Sequence, residues 1–412
     1  METTEKYPDE DHNARRFIWS NGLQNIGDQI VAAKTVLPWL LQSAGAPGFF
    51  IALLVPIREA GSMLPQAALT PWVTGNADRR ALWMWGSVGQ GVAAALIGVV
   101  ALTMEGWPLG LAVILLLAVL AVFRALCSIT SKDVQGRTIH KGGRGEITGR
   151  ATALGGAVTL AVGLGLLVLP GAVPTGLIAA LIFASALAWI IAALVFRGIL
   201  EPEHDADKAG ERDRNWLWDC IELLRGDRVF RSFVIVRSLM LVSALSTTFI
   251  VTLSQEVGEN LSGLGAFLIA SGLAALLGGR ISGIWSDVSA KKVMSFGSAA
   301  AALVLLALVA GARWLPVGVN AWLLPLGFFA VNLAHTAIRV ARKTYVVDLA
   351  EGDQRTRYVS AANSLMGLIL LGVGAVSGVV AQAGSSAALL FLAAVGLVGT
   401  LAAGRMKDVS VG

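Results

Sequence analysis

The chain has 412 residues, of which 55% are hydrophobic and only 14% charged, and its mean hydropathy is +0.70. A soluble protein of this length needs far more polar surface, so the composition excludes a soluble globular domain. The formal net charge of +5 does not indicate nucleic-acid binding, because the basic residues lie in short loops between apolar runs.

Apolar runs of about twenty residues recur along the chain, and this is the length that an α-helix needs to cross a bilayer. The strands of a membrane barrel would be half as long and would alternate in polarity. The runs predict twelve transmembrane helices, called spans 1 to 12 here, near residues 18–42, 47–72, 81–103, 109–131, 147–169, 173–196, 230–254, 262–286, 292–312, 319–343, 357–382 and 385–404. Pro38, Pro56 and Pro65 predict bends in spans 1 and 2.

A charged segment divides the spans into two sets of six. We expect an all-α integral membrane protein with two pseudo-symmetric six-helix bundles at residues 1–196 and 230–412, joined by a cytoplasmic linker at 197–229. The second part of the linker carries Trp216, Cys220, Leu223 and Leu224 at roughly helical spacing. It forms either a short helix in the membrane interface or a solvated connection.

Basic residues concentrate in alternate loops, which predicts the orientation of the chain. One set of loops contains the pairs Arg79–Arg80 and Lys291–Lys292, whereas the other contains Arg313 and little else. By the positive-inside rule the first set faces the cytoplasm. We therefore expect a multi-pass protein of the cytoplasmic (inner) membrane with both termini in the cytoplasm.

The two sets of spans show signs of an internal repeat. A shift of 212 residues places Arg79 and Arg80 on Lys291 and Lys292. A shift of 215 places Arg124 on Arg339 and Asp133 on Asp348. Two nearly equal shifts between corresponding spans indicate a duplication.

The loop between spans 8 and 9 carries a recognisable pattern, G-x-x-x-D-x-x-x-K-K, formed by Gly283, Asp287, Lys291 and Lys292. It resembles the cytoplasmic loop signature of the major facilitator superfamily of secondary transporters. Span number, length, linker and orientation resemble that family over the whole chain. The resemblance implies that these four residues form a latch that holds one conformation. The first-half copy keeps only the basic pair, Arg79 and Arg80.

Eight ionisable residues lie inside predicted spans, where an unpaired charge is costly and therefore indicates function. They are Asp28 and Lys34 in span 1, Arg58 and Glu59 in span 2, Arg124 in span 4, Arg237 in span 7, and His335 and Arg339 in span 10. Six of them lie on spans 1, 4, 7 and 10, which line the central cavity in the family that the sequence resembles. We expect these residues to bind substrate or couple protons, with Asn25 and Asn332 supplying neutral hydrogen bonds.

Structural roles compete for the same residues. Asp28 and Glu59 either load and release a proton or form structural pairs, Asp28 with Arg124 and Glu59 with Arg58. The arginines of spans 4, 7 and 10 either bind substrate or extend to the membrane interface. The asparagines either contact substrate or hold helices together.

Five basic residues and two acids in one cavity would leave it positive, which favours an organic anion, because arginine presents paired donors to carboxylate or phosphate. The sequence therefore predicts a secondary active transporter that moves a small organic solute by alternating access and is driven by a proton gradient. Efflux of amphipathic compounds, as in multidrug transporters, is the alternative within this class.

A membrane-embedded lipid-modifying enzyme is the alternative from another class, and Ser131, Lys132, Asp133 and His140 form the crowded polar patch that it would need. No phosphate-binding loop and no metal-ligand spacing occurs in the sequence. We therefore expect no enzyme activity, no cofactor and no metal. The expected partners are the small-molecule substrate and the lipid bilayer, and we expect no nucleic-acid partner. We expect the protein to be a monomer.

Overall fold

The structure is a computed structural model that describes residues 9–74, 76, 78–139, 144–168, 174–201, 216–258, 262–349 and 352–406. Every regular element in these ranges is a helix. In chain order they are α1 (Glu10–Ile30), α2 (Val36–Ser43), α3 (Gly48–Met63), α4 (Pro65–Thr74), α5 (Arg79–Thr103), α6 (Gly106–Thr138), α7 (Arg144–Leu167), α8 (Thr175–Phe196), α9 (Trp216–Gly226), α10 (Arg228–Leu239), α11 (Val242–Glu256), α12 (Ser262–Val288), α13 (Ala290–Trp314), α14 (Val317–Leu349), α15 (Gly352–Val380), a short 3₁₀ turn (Ala381–Ala383) and α16 (Ser385–Gly404).

These helices form the twelve predicted spans, so the prediction of an all-α membrane protein is confirmed. Spans 1, 2 and 7 each consist of two helices, α1 with α2, α3 with α4, and α10 with α11. The remaining spans are single helices, and α9 belongs to none of them. Within the described ranges, nine helical segments are long and apolar enough to cross a membrane by themselves.

Span 1 is interrupted near its middle, although the apolar run predicted one bent helix over 18–42. α1 ends at Ile30 and α2 begins at Val36. Pro38 explains the break, because its ring clashes with the carbonyl of residue 34 and it has no N–H to donate there. The Leu37 N–H instead donates to the Ala32 carbonyl at 3.2 Å. Lys34 therefore lies in the non-helical segment between the two halves of span 1.

The two halves repeat in a register that differs from the predicted one. Spans 3 and 9 are both 25 residues long and begin at 79 and 290. Spans 4 and 10 are both 33 residues long and begin at 106 and 317, so both pairs are 211 residues apart. In this register Arg124 corresponds to His335, and Arg339 lies about one turn further along. The shift of 215 matched Arg124 with Arg339, which lies on the same helix face as the true counterpart, His335, but one turn away.

Part of the predicted linker is helical. α9 packs Leu223 into an apolar cluster with Phe230 and Phe233 of span 7, whereas Trp218 is 65% exposed. One of the two alternatives for this segment, a short helix, is thus present. Its place in the membrane interface and the domain boundaries at 196 and 230 stay predictions, and residues 202–215 lie outside the described ranges.

The halves are packed together at one end of the bundle and have separate cores at the other. We call these ends the Trp39 end and the Arg79 end, after a residue at each. At the Trp39 end, one buried apolar cluster contains Trp39 of span 1, Leu253 of span 7 and Phe267 of span 8. At the Arg79 end, the described core residues form separate clusters in the first half and in the second half. The described apolar packing therefore joins the halves at the Trp39 end, and the described core residues at the Arg79 end do not join them.

Candidate functional site

Asp28 joins three spans of the first half. Its Oδ1 accepts a hydrogen bond from Arg58 Nη2 of span 2 at 2.5 Å, and its Oδ2 pairs with Arg124 Nη1 of span 4. The Asp28 and Arg58 side chains are only 13% and 8% exposed. The predicted pair of Asp28 with Arg124 is therefore present. The predicted pair of Glu59 with Arg58 is not, because Arg58 pairs with Asp28. A proton on Asp28 would leave two guanidinium groups without their shared counter-ion.

Glu59 and Lys34 form the second acid–base combination, and it is looser. Both side chains are half-buried, and neither makes an ion pair or hydrogen bond with a described residue. Lys34 is nevertheless attracted by Glu59 and repelled by Arg339 and Arg342 of the second half. Glu59 also attracts Arg342. The Glu59 carboxyl thus lies under the influence of basic groups from both halves.

Span 10 presents His335, Arg339 and Arg342 on one helix face, since these residues are four and three positions apart. Arg342 was not among the predicted site residues, although it lies within predicted span 10, which continues as a helix to Leu349. The spacing of i, i+4 and i+7 was the sequence signal for this third residue. His335 Nδ1 lies 3.2 Å from Ser243 Oγ of span 7.

Arg237 of span 7 is buried inside the protein, with 5% exposure, and does not extend to the membrane interface. Its Nη2 donates to Asn363 Oδ1 of span 11 at 2.9 Å. Its Nε is buried without a hydrogen-bond partner among the described residues. Arg342 repels it. Arg237 therefore holds a positive charge whose described hydrogen-bond partner is a neutral amide.

We call six residues of spans 1, 2, 4, 7 and 10 the basic cluster: Lys34, Arg58, Arg124, Arg237, Arg339 and Arg342. The cluster contains residues of both halves. Arg124 of the first half and Arg339 of the second are close enough for their charges to repel each other. The Arg124 side chain is 36% exposed and Arg339 is exposed, so each half has an arginine that the protein does not enclose. This arrangement can bind an anion between the halves.

The two predicted asparagines are placed differently. Asn25 packs against span 5, where a Cβ added to Gly155 would meet the Asn25 Cβ at 2.7 Å. Asn332 Nδ2 donates to the Phe328 carbonyl of its own helix at 3.0 Å. A substrate contact by either amide stays a prediction.

The predicted latch is described only in part. Lys291 is half-buried and Lys292 exposed at the start of span 9, where Ser289 Oγ accepts from the Lys292 N–H at 3.3 Å. The side chains of Gly283 and Asp287 lie outside the described residues. The role of these four residues as a latch stays a prediction.

The corresponding region of the first half contains an ionic network that the sequence analysis missed. Arg79 is 1% exposed and donates to Asp133 of span 4 at 2.7 Å. Asp133 also pairs with Arg137 at 2.9 Å, and Arg137 lies 3.7 Å from Glu201. Burial raises the pKa of the Glu201 carboxyl, and the nearby Arg137 opposes this shift. The carboxyl of Asp78 caps span 3 by accepting from the Ala81 N–H at 2.9 Å.

This network bears on the enzyme alternative. Asp133, the acid of the proposed lipid-modifying patch, is held by two arginines, and His140 lies outside the described residues. In the described part of the chain, no group of three or more His, Cys, Asp or Glu side chains is placed to hold a metal ion.

Comparison with known proteins gives a consistent result at the level of fold. No protein-family model matches the chain, and no curated protein matches its sequence. Among solved structures, a D-xylose–proton symporter superposes with a TM-score of 0.73 at 11% identity, covering 97% of this chain and 98% of that one. A POT family transporter in complex with a thioalcohol-conjugated peptide gives 0.74 at 11% identity, with coverage of 97% and 98%.

A third structure, the nucleoside transporter NupG, superposes with a TM-score of 0.66 at 14% identity, covering 95% of this chain and 98% of that one. Identities this low establish the fold alone. Because the likeness extends over nearly the whole length of three transporters of one structural type, the chain has the fold of the major facilitator superfamily.

Proposed function

We propose that this protein is a secondary transporter that moves a small organic anion across the cytoplasmic membrane by alternating access. The observation that carries the proposal is the basic cluster between the halves. Arg124 of the first half and Arg339 of the second repel each other there, and an anion placed between them would be attracted by both. Transport by the three superposed proteins supports the general class.

The distribution of charge supports an orientation. The Arg79 end carries the loop basic pairs, so by the positive-inside rule we assign it to the cytoplasm. The described apolar core joins the halves at the Trp39 end, whereas at the Arg79 end it forms separate clusters. From this difference in packing we infer that the site between the halves faces the cytoplasm.

Glu59 is the better candidate for proton coupling. Asp28 is held by two arginines of its own half, whereas Glu59 has no described ion pair and attracts Lys34 and Arg342. A proton on Glu59 would release both basic groups for the anion. In this proposal proton and anion travel in the same direction.

Uptake into proteoliposomes under an imposed pH gradient tests the proposal, with radiolabelled organic acids and cationic dyes as alternative substrates. We expect acid uptake that follows the gradient in the parent. Glu59→Gln should exchange anion across the membrane without accumulating it, and Asp28→Asn should fail to transport. Gradient-driven accumulation by Glu59→Gln at the parent level would remove Glu59 from the coupling step. Transport of dyes alone would favour the multidrug-type alternative.

A further inference from the structure

The two halves differ in how they neutralise their buried arginines. In the first half, Asp28 pairs with both Arg58 and Arg124. In the second half, none of the described carboxylates forms an ion pair with Arg237, Arg339 or Arg342. The acid that attracts Arg342, Glu59, belongs to the first half. Among the described residues, the second half thus contributes most of the charge of the basic cluster that no carboxylate pairs with.

Arg237 is the member of this set that most clearly lacks a ligand. A guanidinium has five donors, and a buried donor without a partner is destabilising. Arg237 is 5% exposed, its Nε has no described partner, and its Nη2 is fixed by Asn363. Arg342 repels Arg237, and no described carboxylate pairs with Arg237. Burying this guanidinium is unfavourable unless an anion occupies the site during the cycle.

We propose that the second half provides an anion subsite formed by Arg237, Arg339 and Arg342, with Asn363 as the residue that positions Arg237. We further infer that the transported anion carries two negative charges. A single charge would leave the three arginines mostly uncompensated, whereas a phosphate monoester or a dicarboxylate matches them more closely. This inference rests on the proposed function and specifies its substrate class.

Isothermal titration of the purified full chain in detergent tests the charge of the ligand. The probes are butanedioate, a simple alkyl phosphate and butanoate, at equal ionic strength and at a pH where the first two are dianions. We expect at least one dianion to bind about tenfold or more tightly than butanoate. The dicarboxylate and the phosphate together distinguish two separate charges from one doubly charged group.

Asn363→Asp tests the position of the subsite. The new carboxylate takes the place of the amide oxygen that Arg237 already contacts, so the hydrogen bond and the packing are retained. It neutralises one charge of the subsite, and we expect the preference for dianion over butanoate to fall about tenfold. Arg313→Gln is the matched control, because it removes one positive charge at the Trp39 end and should leave the preference unchanged.

The outcomes separate this inference from the proposed function. If butanoate binds as tightly as both dianions, the transporter can still carry anions, and the doubly charged substrate is wrong. If Asn363→Asp keeps the parent preference, the subsite is not at Arg237. If only cationic dyes bind, both the inference and the proposed anion transport are overturned.

Discussion

Gly163 of span 5 and Gly265 of span 8 lie backbone to backbone across the boundary between the halves. A Cβ added at Gly265 would meet the Gly163 carbonyl oxygen at 2.7 Å, and a Cβ at Gly163 would meet the Gly265 oxygen at 2.8 Å. A Cβ added at Gly272, two turns further along span 8, would likewise meet the Gly156 carbonyl oxygen at 2.9 Å. Small residues permit this closeness, and backbone atoms cannot give way as a flexible side chain can.

We therefore expect Gly163→Leu to separate spans 5 and 8 and to reduce transport in proteoliposomes at least tenfold. Gly165→Leu is the matched control on the same helix, because nothing lies within 4 Å of a Cβ at that position. Equal transport rates for the two variants, normalised to inserted protein, would contradict the role of the crossing.

Asp28→Asn should destabilise the first half. The substitution leaves Arg58, 8% exposed, beside Arg124 without their common counter-ion. Removing one partner from a buried ion pair costs about 3 kcal/mol. Thermal unfolding in detergent measures the loss. The double variant Asp28→Leu with Arg58→Met should be more stable than Asp28→Asn, and a lower melting temperature for the double variant would argue against this account.

Trp39→Ala should open the Trp39 end. The indole is fully buried, 6.5 Å from the ring of Phe267 across the two halves, and its loss costs about 3–5 kcal/mol of packing. Cysteine placed at Ser254, which is 1% exposed, should become accessible to an impermeant maleimide added from that end. Trp83→Ala is the matched control, because it removes an equally buried indole whose ring centre lies 3.9 Å from that of Phe196 within the first half. It should leave the labelling at Ser254→Cys unchanged. Increased labelling in both variants alike would show general loosening and not a gate.

Glu201 should make the stability of the Arg79 end depend on pH. Burial raises the pKa of this carboxyl above its ordinary value of 4.5, so the folded protein binds a proton that the unfolded chain has released. Stability therefore decreases as pH rises from about 4.5 to the raised pKa. Glu201→Gln should flatten this decrease in melting temperature, whereas Glu105→Gln, at an exposed position, should retain it. Parent-like pH dependence in Glu201→Gln would contradict the assignment.

The sequence predicted the spans well because apolar length is set by the thickness of the bilayer. Span 12 was predicted at 385–404 and is observed at Ser385–Gly404. Span 10 was predicted at 319–343 and extends to Leu349, because a helix continues past the apolar run wherever its backbone can remain hydrogen-bonded.

The candidate site was predictable in composition but only partly in pairing, because the Asp28–Arg124 pair was among the predicted alternatives and the Asp28–Arg58 pair was not. All eight ionisable residues could be identified from the cost of placing charge in lipid. Which partner Asp28 selects depends on how spans 1, 2 and 4 cross, and one sequence does not contain that geometry. The same holds for Arg237 and Asn363, which are 126 residues apart and meet at 2.9 Å.

The unequal charge of the halves also has an electrical consequence. In the proposed alternating-access cycle one half moves relative to the other, so the arginines of the second half that no described carboxylate pairs with would move through part of the membrane field. The free energy involved is about 2.3 kcal/mol for each charge that crosses 100 mV. We expect membrane voltage to bias the empty carrier between its two states, and a bound dianion to cancel most of that bias. Charge displacement recorded on supported membranes should therefore be larger for the empty protein than for the loaded one.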